Sequence, residues 1–404
     1  MKKNNRKKLM ILGGSRYILP IIDKAHELGC YVITCDYLPE NIAHKYSDEY
    51  CNISIIDKDA VLKKAKELEI DGIMSFACDP GVVTAAYVAE KMNLPSAGSY
   101  ESISILQNKG KFRDFLTKNG FNVPISKSYT NFEDTLKDIN MFNWPIIVKP
   151  TDSAGSKGVT KVDNKKNLKK AIEVALEYSH CNEFIIEDFL EQDGFSSDSD
   201  CFSENGKMVF YSFDCQRFDK KAQNPYTPSA YSWPASINEK NQEILKKELQ
   251  RLIDLLNLKT SVYNVETRQC INGKTYIMEF SPRGGGNRLS EMVKIGTGVD
   301  LVENSIRAAL NMKLLDLKQK PLKFDLAEII LHSDKPGIFN KLIIDEKMQN
   351  KVLEEDLWIE SGTEVGGFKG ANEAIGTLVL KFDNSDELNY ALDNLDKWLK
   401  IELK

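Results

Sequence analysis

The stretch that most constrains this chain is Ser261–Arg283, SVYNVETRQCINGKTYIMEFSPR. Two runs of alternating residues flank Asn272-Gly273, and that dipeptide is a strong hairpin signal because both residues tolerate the positive φ of a tight turn. A two-residue loop fixes the register: residues pair when their numbers have the same sum as those of the turn pair. Glu266 is then expected opposite Glu279, and Asn264 opposite Ser281, on one face, with paired Cβ atoms about 4.5–5.5 Å apart. Tyr263, Val265, Tyr276, Met278 and Phe280 are expected on the other face, as core. Two facing carboxylates repel unless a cation lies between them. One reading is a Mg²⁺ site of hard oxygen ligands. The other is a solvated polar face with Arg268 neutralising Glu279 diagonally.

At 404 residues the chain is long enough for two to four compact units, taking about 100–200 residues per domain. The net charge of −5 gives no bulk attraction to nucleic acid or to an anionic membrane. The opening MKKNNRKK is basic, but the apolar run after it, Leu9 to Leu12, is too short for a signal-peptide core. No window reaches transmembrane length, so a cytoplasmic protein is expected. Eight cysteines and four histidines are scattered without a Cys-x-x-Cys, which suggests reduced thiols and offers no zinc pattern.

Residues 8–100 alternate apolar strands (KLMIL, YVITCD, DGIMSF) with helical stretches, the pattern of a doubly wound α/β domain. Gly13-Gly14 after the first strand falls short of the full dinucleotide fingerprint and serves close packing equally well. A basic helix follows, with Lys109 and Arg113 four apart on one face. Lys149 ends the strand WPIIVKP, ahead of the small-residue loop TDSAGSKGVTKV, where Ser153, Gly155, Ser156 and Gly158 let backbone N–H groups approach an anion. In EFIIEDFLEQ two acids, Glu187 and Asp188, interrupt an apolar strand. Residues 220–236, with three prolines, read as a loop. After the hairpin, SPRGGGNRLSEM sets Arg283 and Arg288 around three glycines, suited to an anionic substrate. From about 312 the composition is that of a small α+β domain, closed by a helix running from Asn384 or Ser385 through KWLKIEL.

Taken in order, these motifs resemble the ATP-grasp superfamily along essentially the whole chain: a Rossmann-like region, a lysine-bearing helix, Val-Lys-Pro, a small-residue loop, Ile-Glu-Asp-Phe-Leu, and Glu-Phe-Ser-Pro-Arg after a hairpin with a second Glu. The layout is similar to biotin carboxylases, the ATP-dependent carboxylase of purine synthesis and L-amino-acid ligases. The resemblance implies a fold of α/β and α+β parts: a Rossmann-like pre-ATP-grasp domain over 1–100, an ATP-grasp domain over 101–311 with its lid subdomain at about 121–187, and a C-terminal α+β domain over 312–404. It implies ATP and Mg²⁺ (or Mn²⁺) as cofactors. Lys109, with Arg113 as alternate, and Lys149 would contact the phosphates, and Ser153 to Gly158 would close over them. Glu187 would take the adenine amino group within the segment Glu187, Asp188, Phe189 and Leu190, with the Leu190 backbone on the ring edge. Asp193 or Asp198 would replace the usual ribose-binding acid. Glu266 and Glu279 would hold the metal. Ser281 stands where the family usually has Asn, and Asn264 across the hairpin could supply the amide oxygen. Arg283 would stabilise phosphoryl oxygens or bind substrate carboxylate, with Asn287 and Arg288 near the substrate. The implied reaction is ADP-forming activation of a carboxylate as an acyl phosphate for attack by an amine, on amino-acid-like substrates. A bicarbonate-activating carboxylase and a non-catalytic ATP-binding protein are the alternatives. The expected partners are small-molecule carboxylate and amine substrates, with no nucleic acid or membrane, and a homodimer is possible.

Overall fold

The computed structural model describes residues 6–404. The chain begins with strands β1 (Lys8–Leu12), β2 (Tyr31–Asp36), β3 (Glu49–Asn52) and β4 (Gly72–Ser75) and helices α1 (Leu19–Glu27), α2 (Lys58–Leu68) and α3 (Pro80–Met92). The strands form a parallel sheet in the order β3-β2-β1-β4. β1 and β2 are apolar on both faces because helices cover both sides, as parallel sheets require. Gly14 is a packing position: an added Cβ would lie 2.7 Å from Asn41 and His44. Pro80 starts α3 at a position where a missing N–H costs nothing.

Helices α4 (Tyr100–Gln107) and α5 (Lys109–Lys118) lead into a second sheet. The Asn108 side chain caps α5 by accepting from the Lys111 N–H, which fixes Lys109 as the first helical residue. The second sheet comprises β5 (Ser126–Tyr129), β6 (Ile146–Pro150), β7 (Thr160–Val162) and β8 (Phe184–Asp188), in the order β5-β8-β6-β7, with α6 (Phe132–Asp138) and α7 (Leu168–Glu177). Ile146, Val148, Phe184 and Ile186 face its core. By alternation Lys149 and Glu187 point to the opposite face.

Next come β9 (Ser197–Glu204), β10 (Lys207–Phe210), β11 (Cys215–Phe218), β12 (Pro228–Trp233), α8 (Glu239–Leu255), β13 (Ser261–Gln269) and β14 (Thr275–Ser281). β10-β9-β13-β14 form the third sheet. After α9 (Leu289–Thr297) and α10 (Leu301–Ala309) the chain supplies β15 (Asp325–Leu331), β16 (Gly337–Ile344), α11 (Glu346–Gln349), β17 (Val352–Leu357), β18 (Glu364–Val365), β19 (Gly376–Phe382), α12 (Ser385–Asp393) and β20 (Leu399–Leu403). A five-stranded sheet, β11-β12-β15-β19-β17, draws strands from both sides of residue 312. A three-stranded sheet, β18-β16-β20, completes the fold.

Three expectations need correction. Residues 220–236 are not only loop, because β12 lies inside them and pairs with β15; its alternation was masked by flanking prolines. The closing helix stops at Asp393, and Leu399–Leu403 is a strand paired with β16. The hairpin does not turn on two residues. Cys270 and Lys274 close a three-residue loop by the Cys270 N–H donating to the Lys274 carbonyl at 3.0 Å, with Gly273 at φ 74 as the left-handed residue. That loop shifts Thr267 onto Ile277, Arg268 onto Tyr276 and Gln269 onto Thr275. A bulge at Met278 then restores the expected pairs Glu266–Glu279 and Asn264–Ser281. Two irregularities cancel. Between them the faces differ from expectation: Ile277 joins Tyr263, Val265 and Phe280 in the core, whereas Tyr276 and Met278 gather with Cys270 and Leu190 on the other side.

Candidate functional site

The face of the third sheet opposite its core carries two rows that cross three strands. Register sets Asp198, Glu266 and Glu279 side by side, and Asp200, Asn264 and Ser281 in the next row. Three carboxylates in a row raise each other's energy unless cations separate them. Arg268 reaches Glu266 at 3.0 Å, and Lys109 reaches Glu279 at 3.0 Å. Burial alone would raise the Glu279 pKa, but Lys109 and then Lys149 outweigh it and hold the group below its ordinary value. Asp198 has no such cation in contact among the described residues. Burial, then Glu266 beside it, push it up to about 7, although Asn264 donates to it at 2.8 Å. Asp200 is fully buried and pushed up to about 6 by that burial, against hydrogen bonds from the Ser290 hydroxyl and the Gly285 N–H.

Above these rows sits the face of the second sheet. Glu187, 2% exposed, accepts from Arg113 Nε and lies 2.8 Å from Lys149 Nζ. Its carboxyl is drawn down to about 2: burial acts the other way, and Arg113 and Lys149 overcome it. Lys149 is itself depressed, by burial and then by Arg113 and Lys109, with Glu187 opposing. Two cations share one carboxylate, so Lys149 retains charge for another anion. Arg113 is 1% exposed, and its Nη1 donates at 2.9 Å to the carbonyl of Met278, the bulged residue. It braces the two sheets rather than facing open space. Lys109 also donates to the Ser153 carbonyl at 2.9 Å, tying the small-residue loop to Glu279. In that loop Gly155, Ser156 and Gly158 all have positive φ, and the Ser156 hydroxyl donates to the Tyr226 carbonyl.

The segment after β8 runs between the two sheets. Asp188 accepts from the Asn143 backbone and side chain at 2.9 and 2.7 Å, Lys161 lies 4.2 Å over the Phe189 ring, and Leu190 packs with Met278 and Tyr276. Asp193 is exposed and accepts from Gln269 Nε2 at 2.8 Å, away from the acidic rows, while Asp198 lies within them.

Arg283 makes a bidentate pair with Asp79, through Nε at 2.8 Å and Nη2 at 2.6 Å. Asp79 also accepts from the Ser281 hydroxyl at 2.8 Å, and Ser281 accepts from Gln107. Ser281 is therefore committed to neighbours in the first unit and α4. Asn287 and Arg288 both have left-handed backbones, φ 49 and 58, a costly arrangement for two non-glycine residues. Asn287 donates to the Tyr231 hydroxyl, and Arg288 pairs with Glu291 and Glu354. Sequence reasoning missed Asp79 and Asp200. The alternation of Asp198 and Asp200 in SDSDC was the available signal for the latter, whereas nothing local marks Asp79. A separate group, Asp219, His332 and Asp334, brings possible ligand atoms within 4.8 Å of one another. There His332 hydrogen-bonds Asp219 at 3.2 Å and draws it down to about 2, pinning a loop to the end of β15.

The first row fits a divalent cation. Its donors are hard carboxylate oxygens, and the Lys109 ammonium already places one positive charge against Glu279. No helix of the described residues is long and apolar enough to cross a membrane.

Two sheets thus face each other, one carrying cationic side chains and the other the carboxylate rows. Residues 142–291 match the family model described as ATP-grasp domain. Among curated proteins it is 25% identical over 321 residues to a formate-dependent phosphoribosylglycinamide formyltransferase of Prochlorococcus marinus, covering 77% of this chain and 78% of that one. Among solved structures it resembles an L-amino acid ligase from Bacillus licheniformis, with TM-score 0.80 and 22% identity over 99% of each chain. It also resembles a phosphoribosylglycinamide synthetase from Anaerococcus prevotii, with TM-score 0.76 and 22% identity, covering 99% of this chain and 100% of that one.

Proposed function

We propose that the chain activates a carboxylate of an amino-acid-like substrate as an acyl phosphate at the expense of ATP, releasing ADP, and that an amine then displaces phosphate to form an amide. The observation that carries this reading is the charge balance between the two sheets. Among the described residues Lys109, Arg113 and Lys149 pair directly with two carboxylates, Glu187 and the row's own Glu279, so three cations meet two acids next to Glu266 and Asp198. An anionic phosphate chain together with a divalent cation would satisfy both halves.

Glu279 and Glu266 would hold Mg²⁺ (or Mn²⁺), with Asn264 beside them. The metal, when bound, neutralises charge on phosphate oxygens. Lys109 would move from Glu279 toward the phosphates, and Lys149 would offer them its spare charge. The loop Ser153–Gly158 lies against Lys109, so that displacement would pull it over the phosphates and exclude water from a hydrolysis-prone intermediate. The adenine would lie between Leu190, Tyr276 and Met278, whose position depends on the bulge. Arg283, fixed by Asp79 rather than free, would present its remaining N–H groups to the reacting carboxylate or phosphoryl oxygens. We place the domains as 1–100, 101–311 and 312–404, the last two joined by the shared five-stranded sheet, and the enzyme in the cytoplasm as a possible homodimer.

The test is Glu279→Gln. ADP formation over a matrix of amino acids, small carboxylates and bicarbonate should be abolished in the variant while its circular dichroism and unfolding curve stay those of the parent. Unchanged turnover would remove the metal assignment. Stimulation by bicarbonate alone would move the reading to a carboxylase.

A further inference from the structure

A second polar cluster lies where the first unit, α9 and the five-stranded sheet meet. Its centre is Glu328 on β15, 0% exposed, with neither carboxylate oxygen hydrogen-bonded among the described residues. The register places Tyr231 of β12 directly beside it and Val379 of β19 on its other side, with Glu354 of β17 next in line. Leu289 and Met292 of α9 pack on this same face against Tyr231 and Val379, so Glu328 points toward α9 and not toward solvent. Tyr17, from the turn after β1, is close enough for its hydroxyl to feel the Glu328 charge, and that hydroxyl is also buried without a partner. Tyr17 meets Trp358 edge-on at 5.9 Å, and Arg16 lies over that indole. Arg288 is taken by Glu291 and Glu354 and by the Thr377 hydroxyl, not by Glu328. Two carboxylates thus share that guanidinium, and Glu328 is left without an ion pair among the described residues.

A fully buried carboxylate without a hydrogen bond is among the most expensive groups a fold can keep. When ionised its two oxygens are acceptors only, and an ammonium group offers three donors and the missing charge. We propose that this junction binds the ammonium group of the amine-side substrate, with Glu328 as its counter-ion and the Tyr17 hydroxyl as a second contact. The identification of the ligand as the amine-side substrate rests on the ligase reading above; the cation preference rests on the cluster alone. Because burial, Glu291 and Glu354 raise the Glu328 pKa against Arg288, the bound ammonium would expel a proton from Glu328. Tyr17 and Tyr231, the other titratable groups facing it, are likewise raised and stay neutral throughout.

The experiment is calorimetric titration of the full chain, with and without Mg-ATP. The probes are ethanolamine, putrescine, L-lysine and L-alaninamide, each compared with its N-acetyl derivative, in two buffers of different ionisation enthalpy. At least one ammonium probe should bind about tenfold or more tighter than its acetylated form, with proton release at pH 6.5. Glu328→Gln should lower that affinity by about tenfold or more and abolish the proton release, and Tyr17→Phe should weaken binding less. Absence of binding by every probe, equal affinity for the acetylated forms, or unchanged affinity and proton release in both variants would overturn the inference. Titration with Mg-ATP on the same preparations separates the two ideas. Nucleotide binding without ammonium binding sinks this inference alone; ammonium binding without nucleotide binding sinks the ligase reading, and with it the ligand's identity as the amine substrate, while the cation preference stands.

Discussion

Glu187 and Glu328 are equally hidden from water, 2% and 0% exposed, and their environments are opposite. Glu187 is held by Arg113 and Lys149 and sits at about 2, far below an ordinary carboxyl. Glu328 has no hydrogen-bond partner among the described residues and is driven upward by burial and by its acidic neighbours. Around Glu187 the excess charge is positive, and around Glu328 it is negative. The same residue type at the same depth thus marks two kinds of place, one suited to an anionic ligand and one to a cationic one. Burial alone says nothing about which, and the partner count decides it.

The largest expected effect comes from removing each carboxylate in turn. Glu187→Gln leaves two buried cations uncompensated and should cost about 3–5 kcal/mol in urea unfolding. Glu328→Leu removes a buried polar group without a hydrogen-bond partner and should leave stability unchanged or raise it. Equal losses in the two variants would erase the contrast.

The pH dependence separates them next. Glu187 has a folded pKa below its unfolded value of 4.5, so its contribution is complete above pH 4.5 and is lost as the pH falls toward about 2. Glu328 has a folded pKa above the same reference, so the folded state holds a proton that the unfolded chain releases. Stability should therefore decline as pH rises above 4.5. Unfolding free energies across that range should lose the acid-side fall in Glu187→Gln and the decline above it in Glu328→Gln.

Much of this was legible in the residues, for reasons that differ by region. The parallel sheet and the Val-Lys-Pro strand are local patterns of apolar runs and breakers, and they formed as expected. The pairing of Glu266 with Glu279 also came out, but through a three-residue loop and a bulge whose shifts cancel. Neither irregularity has an unambiguous sequence mark, since Asn-Gly suits both loop lengths and Met278 looks like any core residue. Tyr276 and Met278 were assigned to the wrong face for that reason. Asp79, Tyr17 and Glu328 were invisible because their meaning lies in contacts made across two or more hundred residues of chain. Arg283 shows the same limit: its place beside the glycines was readable, but its commitment to Asp79 was not.

Smaller effects probe the supports of the anionic side. Asp79→Asn weakens the hold on Arg283 and Ser281 without touching the carboxylate row, and should lower kcat by about 10–100-fold with unfolding little changed. Gly273→Ala forces a side chain into a left-handed position with open space around it. It should cost about 1–2 kcal/mol in thermal or urea unfolding, with ADP formation by the folded enzyme intact. A larger loss with altered nucleotide affinity would mean that the loop, and not only the bulge, sets the register of Glu279.

The most direct measurement is Mg²⁺-dependent ATP binding by calorimetry in the parent chain and in Glu279→Gln. The account predicts saturable binding that requires the divalent cation in the parent and loses that requirement together with most of its affinity in the variant. Equal, metal-dependent binding by both proteins would contradict it.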